Sequence, residues 1–296
     1  MCDDFTQDDN EKFLSNPLNR RAFGAAASMA VGAASIAALW PSALSAQEAE
    51  GLSQSDVMVK TPDGDADCFF VHPSEGKHAA VILWPDIWGL RPAKREMAKR
   101  LAASGYAVLV MNQFYRDGRA PFLDETTRGT REGIGTMRTF ARNLSAETNA
   151  TDAKALVKFL DAQDAVDTSR KIGAMGYCMG GPITMRTAAA VPERIGAGAS
   201  FHGGGLATDR PNSPHLLIPN MKADFLIAVA ENDDERRPEE KTILAQAFKA
   251  SKLSAEIEVY EGALHGWCPP DSRVYNEAQA ERAWVRMLAL YDKALA

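Results

Sequence analysis

Cysteine is scarce in this chain, with four residues in 296. A small secreted protein held together by disulfides has far more, so the fold must depend on a hydrophobic core. Excess positive charge is also missing, because 33 Lys and Arg stand against 39 Asp and Glu. The formal net charge of −6 provides no basic field, and we expect no nucleic-acid partner.

Sequence patterns typical of metal and dinucleotide sites are absent as well. No His or Cys pair has the HxxH, CxxC or HExxH spacing, and no GxGxxG follows the first predicted strand. We therefore expect neither a metal ion nor a nucleotide cofactor. Glycine and proline, at 22 and 15 residues, are too few for a collagen-like or low-complexity chain.

Residues 1–46 have the three-part order of an export signal. A polar stretch leads to Arg20-Arg21, and an apolar run rich in Ala and Gly follows over residues 24–40. Small residues at 42–46 then suit a signal peptidase, whereas the apolar run is short for a membrane anchor. The pattern resembles a twin-arginine signal. We expect the twin-arginine export machinery as a partner, a periplasmic or secreted protein, and no stable membrane span after processing.

Short apolar runs alternate with helical patterns in residues 47–296. A hairpin is predicted over 57–73. Residues 112–150 are predicted to be loop with helical pieces, and the sequence does not decide whether this segment is a mobile lid. Buried strands are predicted at 79–83, 107–111, 171–175, 197–201, 225–230 and 257–260, and helices at 92–104, 152–160, 182–191, 239–251 and 274–291. This alternation predicts a single α/β domain, with a mostly parallel sheet flanked by helices.

The most specific local pattern is Gly176-Tyr177-Cys178-Met179-Gly180, between a predicted strand and a predicted helix. It fits the G-x-nucleophile-x-G turn of α/β-hydrolases, with Cys in the place of Ser. Such a turn aims the thiol at a helix N-terminus, where a thiolate is stabilised. The alternative is a structural cysteine in a glycine-rich turn.

An acid and a histidine follow later strands, in the chain order of the α/β-hydrolase triad. Asp233 and Asp234 come directly after the strand at 225–230, and His265 follows the last strand. We predict Asp233 as the acid and keep Asp234 open, because a one-residue shift of the loop would exchange them. The alternatives are a solvated acidic turn and an exposed loop histidine.

The first buried strand runs into Asp86-Ile87-Trp88-Gly89. In the hydrolase fold this loop supplies one oxyanion N–H and the residue after the nucleophile supplies the other, which points to Ile87 and Met179. Asp86 lies several residues too far before residue 92 to be the N-cap of the helix predicted there. Further candidates for the substrate pocket are His202 at a strand end and three aromatic residues, Trp88, Tyr115 and Trp267.

Together these residues resemble the dienelactone hydrolase (carboxymethylenebutenolidase) family. The likeness covers about residues 55–295 and rests on PDIWGL, GYCMGG, AENDD and ALHGW, in that order. It implies an α/β-hydrolase fold and a triad of Cys178, Asp233 and His265. Family members usually have a glutamate at the position of Asp86 that holds and helps to activate the resting thiol, which would make Asp86 a thiol-modulating residue.

The resemblance also concerns the substrate. Family members that act on dienelactone bind its carboxylate with arginines, one of which is expected where this chain has Pro269. Arg128 or Arg131 would supply another. The implied activity is hydrolysis of an ester or lactone, such as a dienelactone-like cyclic or enol ester, through a covalent thioester.

Two other functions stay open. The same triad would serve a broad carboxylesterase or thioesterase. A non-catalytic binding or redox protein is the alternative from another class, because the chain after residue 46 keeps an odd number of cysteines, Cys68, Cys178 and Cys268. Cys268 lies three residues after His265, so a disulfide with Cys178 is conceivable.

Overall fold

A computed structural model describes residues 51–296 of the chain, and the predicted export signal at residues 1–46 lies outside them. Eight strands form one sheet in the order β1-β2-β4-β3-β5-β6-β7-β8. The strands are β1 (Leu52–Thr61), β2 (Gly64–Pro73), β3 (Ala80–Trp84), β4 (Ala107–Met111), β5 (Ile172–Tyr177), β6 (Ile195–Phe201), β7 (Asp224–Ala230) and β8 (Ala255–Tyr260).

The sheet is parallel from β4 to β8 in its spatial order, and β2 alone is antiparallel, both to β4 and to its hairpin partner β1. Its central strands β3, β4 and β5 are buried along their whole length. Continuous apolar runs such as AVILW and AVLVM have this burial because helices cover both faces of a parallel sheet. The fold class predicted from the alternating pattern, an α/β-hydrolase fold in one domain, is confirmed.

Two helical layers cover the sheet. Apolar side chains of α1 and α7 pack on one face, and those of α3, α4 and α6 pack on the other. The helices are α1 (Pro92–Ala103), α2 (Arg131–Arg142), α3 (Ala146–Asp161), α4 (Gly180–Ala190), α5 (Glu231–Arg236), α6 (Glu240–Ala250) and α7 (Glu277–Ala294), with a 3₁₀ helix over Pro214–Asn220.

Helix α3 begins six residues before its predicted start. Ser145 and Thr148 form a capping box, in which the Ser145 hydroxyl accepts a hydrogen bond from the Thr148 N–H at 3.1 Å. The Thr148 hydroxyl accepts the N–H of Ser145 in return, at 2.9 Å. Two otherwise unpaired N–H groups are satisfied in this way, and the helix extends into the polar segment 112–150, which is predicted to be loop with helical pieces.

No helix within residues 51–296 is long and apolar enough to cross a membrane. In the same part of the chain, no group of three or more His, Cys, Asp or Glu side chains is arranged to hold a metal ion.

Parallel strands bring their carboxyl ends to one edge of the sheet. The segments that follow β3, β5, β7 and β8 carry Asp86, Cys178, Asp233 and His265, respectively. Ligands of open α/β sheets bind at this edge. The topology therefore brings together residues that are up to about 180 positions apart in the chain.

Stability of the sheet can be tested at β4. Leu109 is 0% exposed, so Leu109→Ala leaves a cavity and should lower the free energy of unfolding by about 2–5 kcal/mol. Leu216→Ala is the matched control, because Leu216 is 51% exposed and its truncation should cost less than about 1 kcal/mol. Urea unfolding measures both, and equal losses would contradict this description of the core.

Candidate active site

The turn between β5 and α4 holds Cys178 in a left-handed backbone conformation, with φ of 55°. A non-glycine residue in this region costs roughly 1–2 kcal/mol, so the surrounding structure must hold it there. The Cys178 N–H donates to the carbonyl oxygen of Phe201 at 3.0 Å, and its own carbonyl accepts the N–H of Gly181 at 3.0 Å. These bonds present the thiol at the N-terminus of α4.

Two glycines make this turn sterically possible. A Cβ on Gly176 would lie 2.1 Å from the carbonyl oxygen of Gly180, and one on Gly180 would lie 2.4 Å from the carbonyl oxygen of Trp84. Both distances are far below van der Waals contact, so neither position accepts a side chain without a backbone shift. The glycines of the motif are thus explained by close approach of strand and helix.

His265 and Asp233 meet at the carboxyl ends of β7 and β8. The Nδ1 of His265 lies 2.6 Å from Oδ2 of Asp233, and both residues are buried. Asn232 supports this contact by accepting the backbone N–H of His265 at 2.9 Å. Asp234, the other candidate for the acid, is paired with Lys241 at 2.5 Å instead.

The charges around His265 favour its protonated form. Burial by itself would lower the pKa of His265, but the Asp233 carboxylate, followed by Cys178, raises it to about 10. Both residues also hydrogen-bond to the imidazole and raise the pKa further. The imidazole therefore lies between an acid on one side and the sulfur of Cys178 on the other, the arrangement that a nucleophile and its base require.

The loop after β3 brings a second group of atoms to the site. Ile87 is buried and packs in a small apolar cluster with Phe114 and Met137, against which Trp88 and Met179 also pack. Met179 is the first residue after Cys178 and the N-cap of α4. Ile87 and Met179 are therefore neighbours of one cluster beside the Cys178 turn.

Residues 66–295 match the family described as the dienelactone hydrolase family, which covers most of the chain. The chain belongs to the dienelactone hydrolase family. It is accordingly a carboxylic ester hydrolase, acting on an ester or a lactone. The predicted resemblance to this family is confirmed.

Individual relatives agree with this assignment. The carboxymethylenebutenolidase of Rhodococcus opacus is 26% identical over 231 residues, covering 76% of this chain and 86% of that protein. Crystal structures of a dienelactone hydrolase-like promiscuous phosphotriesterase from metagenomic libraries and of a dienelactone hydrolase from Anabaena variabilis superpose with TM-scores of 0.68 and 0.60. They are 21% and 18% identical, each covers 83% of this chain, and their whole length is matched. At these identities the structural likeness shows the fold.

Asp86 lies beside this site, but its carboxylate is occupied by cationic partners. Arg91 binds both carboxylate oxygens, at 2.8 and 3.0 Å, and Lys94 lies 3.1 Å from Oδ2. Burial alone would raise the pKa of Asp86, but Arg91 and Lys94 hold it well below its usual range. The expected influence of Asp86 on the Cys178 thiol stays a prediction, and these ion pairs limit its freedom to reach the sulfur.

His202 and Trp267 lie directly behind the histidine. The His202 ring is 5.1 Å from the His265 ring and 5.2 Å from the Trp267 ring, measured between centroids. Both residues are buried, and burial followed by the charge of His265 lowers the pKa of His202 well below its usual value. His202 is therefore a neutral packing partner of His265, whereas the other side of the contact is provided by Trp267, which also stacks on Tyr260 with 5.3 Å between ring centroids.

The remaining pocket candidates are Tyr115, Arg128 and Arg131. Tyr115 turns toward β1 and α3, where its hydroxyl bonds to Thr61 at 2.7 Å and to Asp152 at 2.9 Å. These partners hold its polar end near β1 and α3, and its expected place in the pocket stays a prediction. Arg128 pairs with Asp271, and Arg131 is exposed at the first turn of α2.

Sequence reasoning missed the polar residues that hold the loop after β3 and the loop after β8. Gln113 is buried, and its amide donates to the carbonyl oxygen of Asp86 at 2.9 Å. Asn232, next to the predicted acid, binds the histidine backbone. Arg91 and Asp271, which form an ion pair, are the other two residues that the sequence reasoning missed. Only Asn232 carried a usable signal, because it adjoins the acidic turn.

Cys68, Cys178 and Cys268 form no disulfide within residues 51–296. Cys68 belongs to the core on the α3 and α4 side of the sheet, and Cys268 to the core on the opposite side. Burial raises the pKa of both thiols far above the usual range. Neither thiol is therefore ionised at neutral pH, which gives no support to a redox function at these two positions.

The pairing of His265 with Asp233 predicts a pH-dependent stability. The pKa of His265 is raised from 6.5 to about 10, so the pairing stabilises the fold fully below pH 6.5 and this contribution is lost as the pH rises through about 10. Asp233→Asn should lower the His265 pKa, measured by NMR titration of the ring. Its loss in unfolding free energy should be largest below pH 6.5 and shrink toward pH 10. Asp234→Asn, which removes the partner of Lys241, should leave the His265 titration unchanged; an equal shift would argue against Asp233 as the partner.

Proposed function

We propose that this protein hydrolyses a cyclic or enol ester through Cys178 as nucleophile, His265 as base and Asp233 as the residue that orients His265. The observation that supports this most directly is that the His265 imidazole hydrogen-bonds to the Asp233 carboxylate at 2.6 Å and also to the side chain of Cys178. A base that holds the proton of the thiol at neutral pH leaves a thiolate ready to attack.

The first half of the reaction forms a thioester. The Cys178 thiolate adds to the ester carbonyl carbon, and the carbonyl oxygen becomes an oxyanion. The tetrahedral intermediate then expels the alkoxide or enolate, which takes the proton from His265. With a lactone, this leaving group stays attached to the acyl chain.

The second half releases the acid. His265, now neutral, accepts a proton from a water molecule as the water attacks the thioester carbonyl. Collapse of the second tetrahedral intermediate expels the Cys178 thiolate and restores the charged pair. Asp233 stabilises the imidazolium in both halves, without itself becoming protonated.

Ile87 and Met179 supply the oxyanion hole in this proposal. The hydrogen bonds recorded among residues 51–296 give no acceptor to the N–H of either residue, which fits donors that are kept for a substrate. Each donor of this kind typically contributes about 3–4 kcal/mol to the stability of the transition state.

The substrate class follows from the leaving group and from the charges nearby. A thiolate is a good nucleophile but also leaves easily, so it suits esters whose own leaving group is stable, such as enol and aryl esters. Arg128 is paired with Asp271, and Pro269 stands where a family arginine is expected. We infer that a substrate carboxylate is not required, and that Trp88 at the edge of the apolar cluster contacts the acyl or ring portion.

Cys178→Ala tests the nucleophile. It should lower kcat for p-nitrophenyl acetate by about 10⁴-fold or more, because removal of a triad nucleophile leaves only the residual contribution of binding and the oxyanion hole. Cys68→Ala is the matched control, since Cys68 is a buried core thiol on β2, which β4 and β3 separate from β5, and should keep the wild-type kcat.

Mass spectrometry of the wild-type protein, quenched early in the reaction, should detect one acyl group on the peptide that contains Cys178. A Cys178→Ala protein as active as Cys68→Ala would overturn the proposal. Faster cleavage of an alkyl thioester than of enol esters and lactones would instead favour the thioesterase reading.

We also propose that residues 1–46 direct export through the twin-arginine machinery and that the mature protein is periplasmic or secreted. The support is the order of Arg20-Arg21, the apolar run and the small residues at 42–46.

Replacement of both Arg20 and Arg21 by Lys should keep the full-length precursor in the cytoplasm, whereas the unmodified chain should appear outside it without its first residues. Cell fractionation with N-terminal sequencing measures both, and Lys12→Gln controls for loss of a nearby charge. An uncleaved chain in the membrane fraction would show an anchor in place of a signal.

A further inference from the structure

One buried guanidinium joins the two loops of the site. Arg91 binds both oxygens of Asp86 with its terminal nitrogens, at 2.8 and 3.0 Å. The same side chain binds both oxygens of Asp271, at 2.7 Å from Nε and 3.0 Å from a terminal nitrogen. The planar group thus forms two bidentate pairs at once, the geometry that gives arginine its specificity.

Arg91, Asp86 and Asp271 form a clamp whose Arg91–Asp86 half is buried, whereas the Asp271 side chain is 21% exposed. Arg91 is 5% exposed and the Asp86 side chain is 7% exposed. Removing one charge from a buried pair leaves the other uncompensated, which is far more costly than losing a surface ion pair. The positions of the three side chains are therefore tightly coupled to one another.

The two carboxylates belong to segments that matter for different parts of the reaction. Asp86 immediately precedes Ile87, a proposed oxyanion donor. Asp271 lies six residues after His265, in the connection that leads to α7. Arg91 itself is the N-cap of α1 and lies 180 residues from Asp271 in the chain.

The backbone on the β3 side is already held by local contacts. The carbonyl oxygen of Asp86 accepts bonds from Gln113 and from the N–H of Gly89, both at 2.9 Å. The N–H of Trp88 donates to Oδ1 of Asp86 at 3.0 Å. These bonds set the shape of the loop after β3, but all of them lie within the β3–β4 part of the molecule. The bonds of Arg91 to Asp86 and Asp271 connect this loop to the segment that follows His265.

We propose that Arg91 is a positioning residue, which fixes the Ile87 N–H relative to the loop of His265 by clamping Asp86 and Asp271. The proposal rests on the proposed function, because it assigns Arg91 an effect through the oxyanion hole. An oxyanion donor must lie within about 2.7–3.1 Å of the developing charge, and a misplacement of about 1 Å costs on the order of 100-fold in rate.

Arg91→Lys tests the clamp while keeping the charge. A lysine presents a single ammonium and cannot bind two carboxylates in bidentate fashion. We expect kcat for p-nitrophenyl acetate to fall about 10- to 100-fold per active site, with KM within about threefold of the wild-type value. Active sites are counted from the p-nitrophenol burst, so unfolded or damaged protein does not contribute to kcat.

Arg100→Lys is the matched control, because Arg100 lies on the same helix and forms a bidentate pair with Glu281 on α7, away from the site. It should lower the melting temperature but leave kcat per titrated site within about twofold. If Arg91→Lys behaves in the same way, Arg91 is merely structural and the inference fails.

A second variant decides the matter should Arg91→Lys not fold. Asp271→Asn keeps the shape of the side chain and one oxygen acceptor, and it should lower kcat per site in the same direction with little change in KM. Wild-type kcat in Asp271→Asn would overturn the clamp. Activity in Cys178→Ala would instead overturn the proposed function, so the two failures are distinguishable.

Discussion

The left-handed turn at Cys178 is the constraint on which the site depends. Strand β5 lies in the middle of the sheet and helix α4 packs directly against it, so the residue between them has almost no conformational freedom. Gly176 and Gly180 permit the approach, and the bond from the Cys178 N–H to Phe201 ties the turn to β6. The strain at φ of 55° is sustained because sheet and helix are both part of the core.

Buried charge is divided between two neighbouring groups with different consequences. In the first, Asp233 and Cys178 act on His265 and keep it protonated. In the second, Arg91 and Asp86 form an ion pair with no titration near neutral pH, since the pKa of the carboxyl is far below its usual range. The first group can exchange protons during a reaction, whereas the second can only hold atoms in place. In our proposals the first group carries out the chemistry, and the second positions the loop that bears Ile87.

Much of the fold was predictable because the central strands are short, continuous apolar runs that alternate with amphipathic helices. Strands β3 and β4 and helices α1 and α4 begin and end close to their predicted bounds, whereas the hairpin begins at Leu52, five residues before its predicted start. Helix α2 and the early start of α3 were harder to predict, since many of their residues are polar. The caps at Thr130 and Ser145 mark where these helices begin, through local side-chain hydrogen bonds that a hydrophobic pattern does not show.

The chain's own residues determined which chemistry was available: a cysteine in a glycine-rich turn, followed in order by acids and a histidine. Tertiary structure alone decided that Asp233 and not Asp234 faces His265, that Tyr115 turns away, and that Arg91 joins Asp86 to Asp271. The reason is geometric. A local pattern determines the conformation of a few successive residues, whereas contacts between distant segments depend on how strands and helices pack, to within a fraction of the length of a side chain.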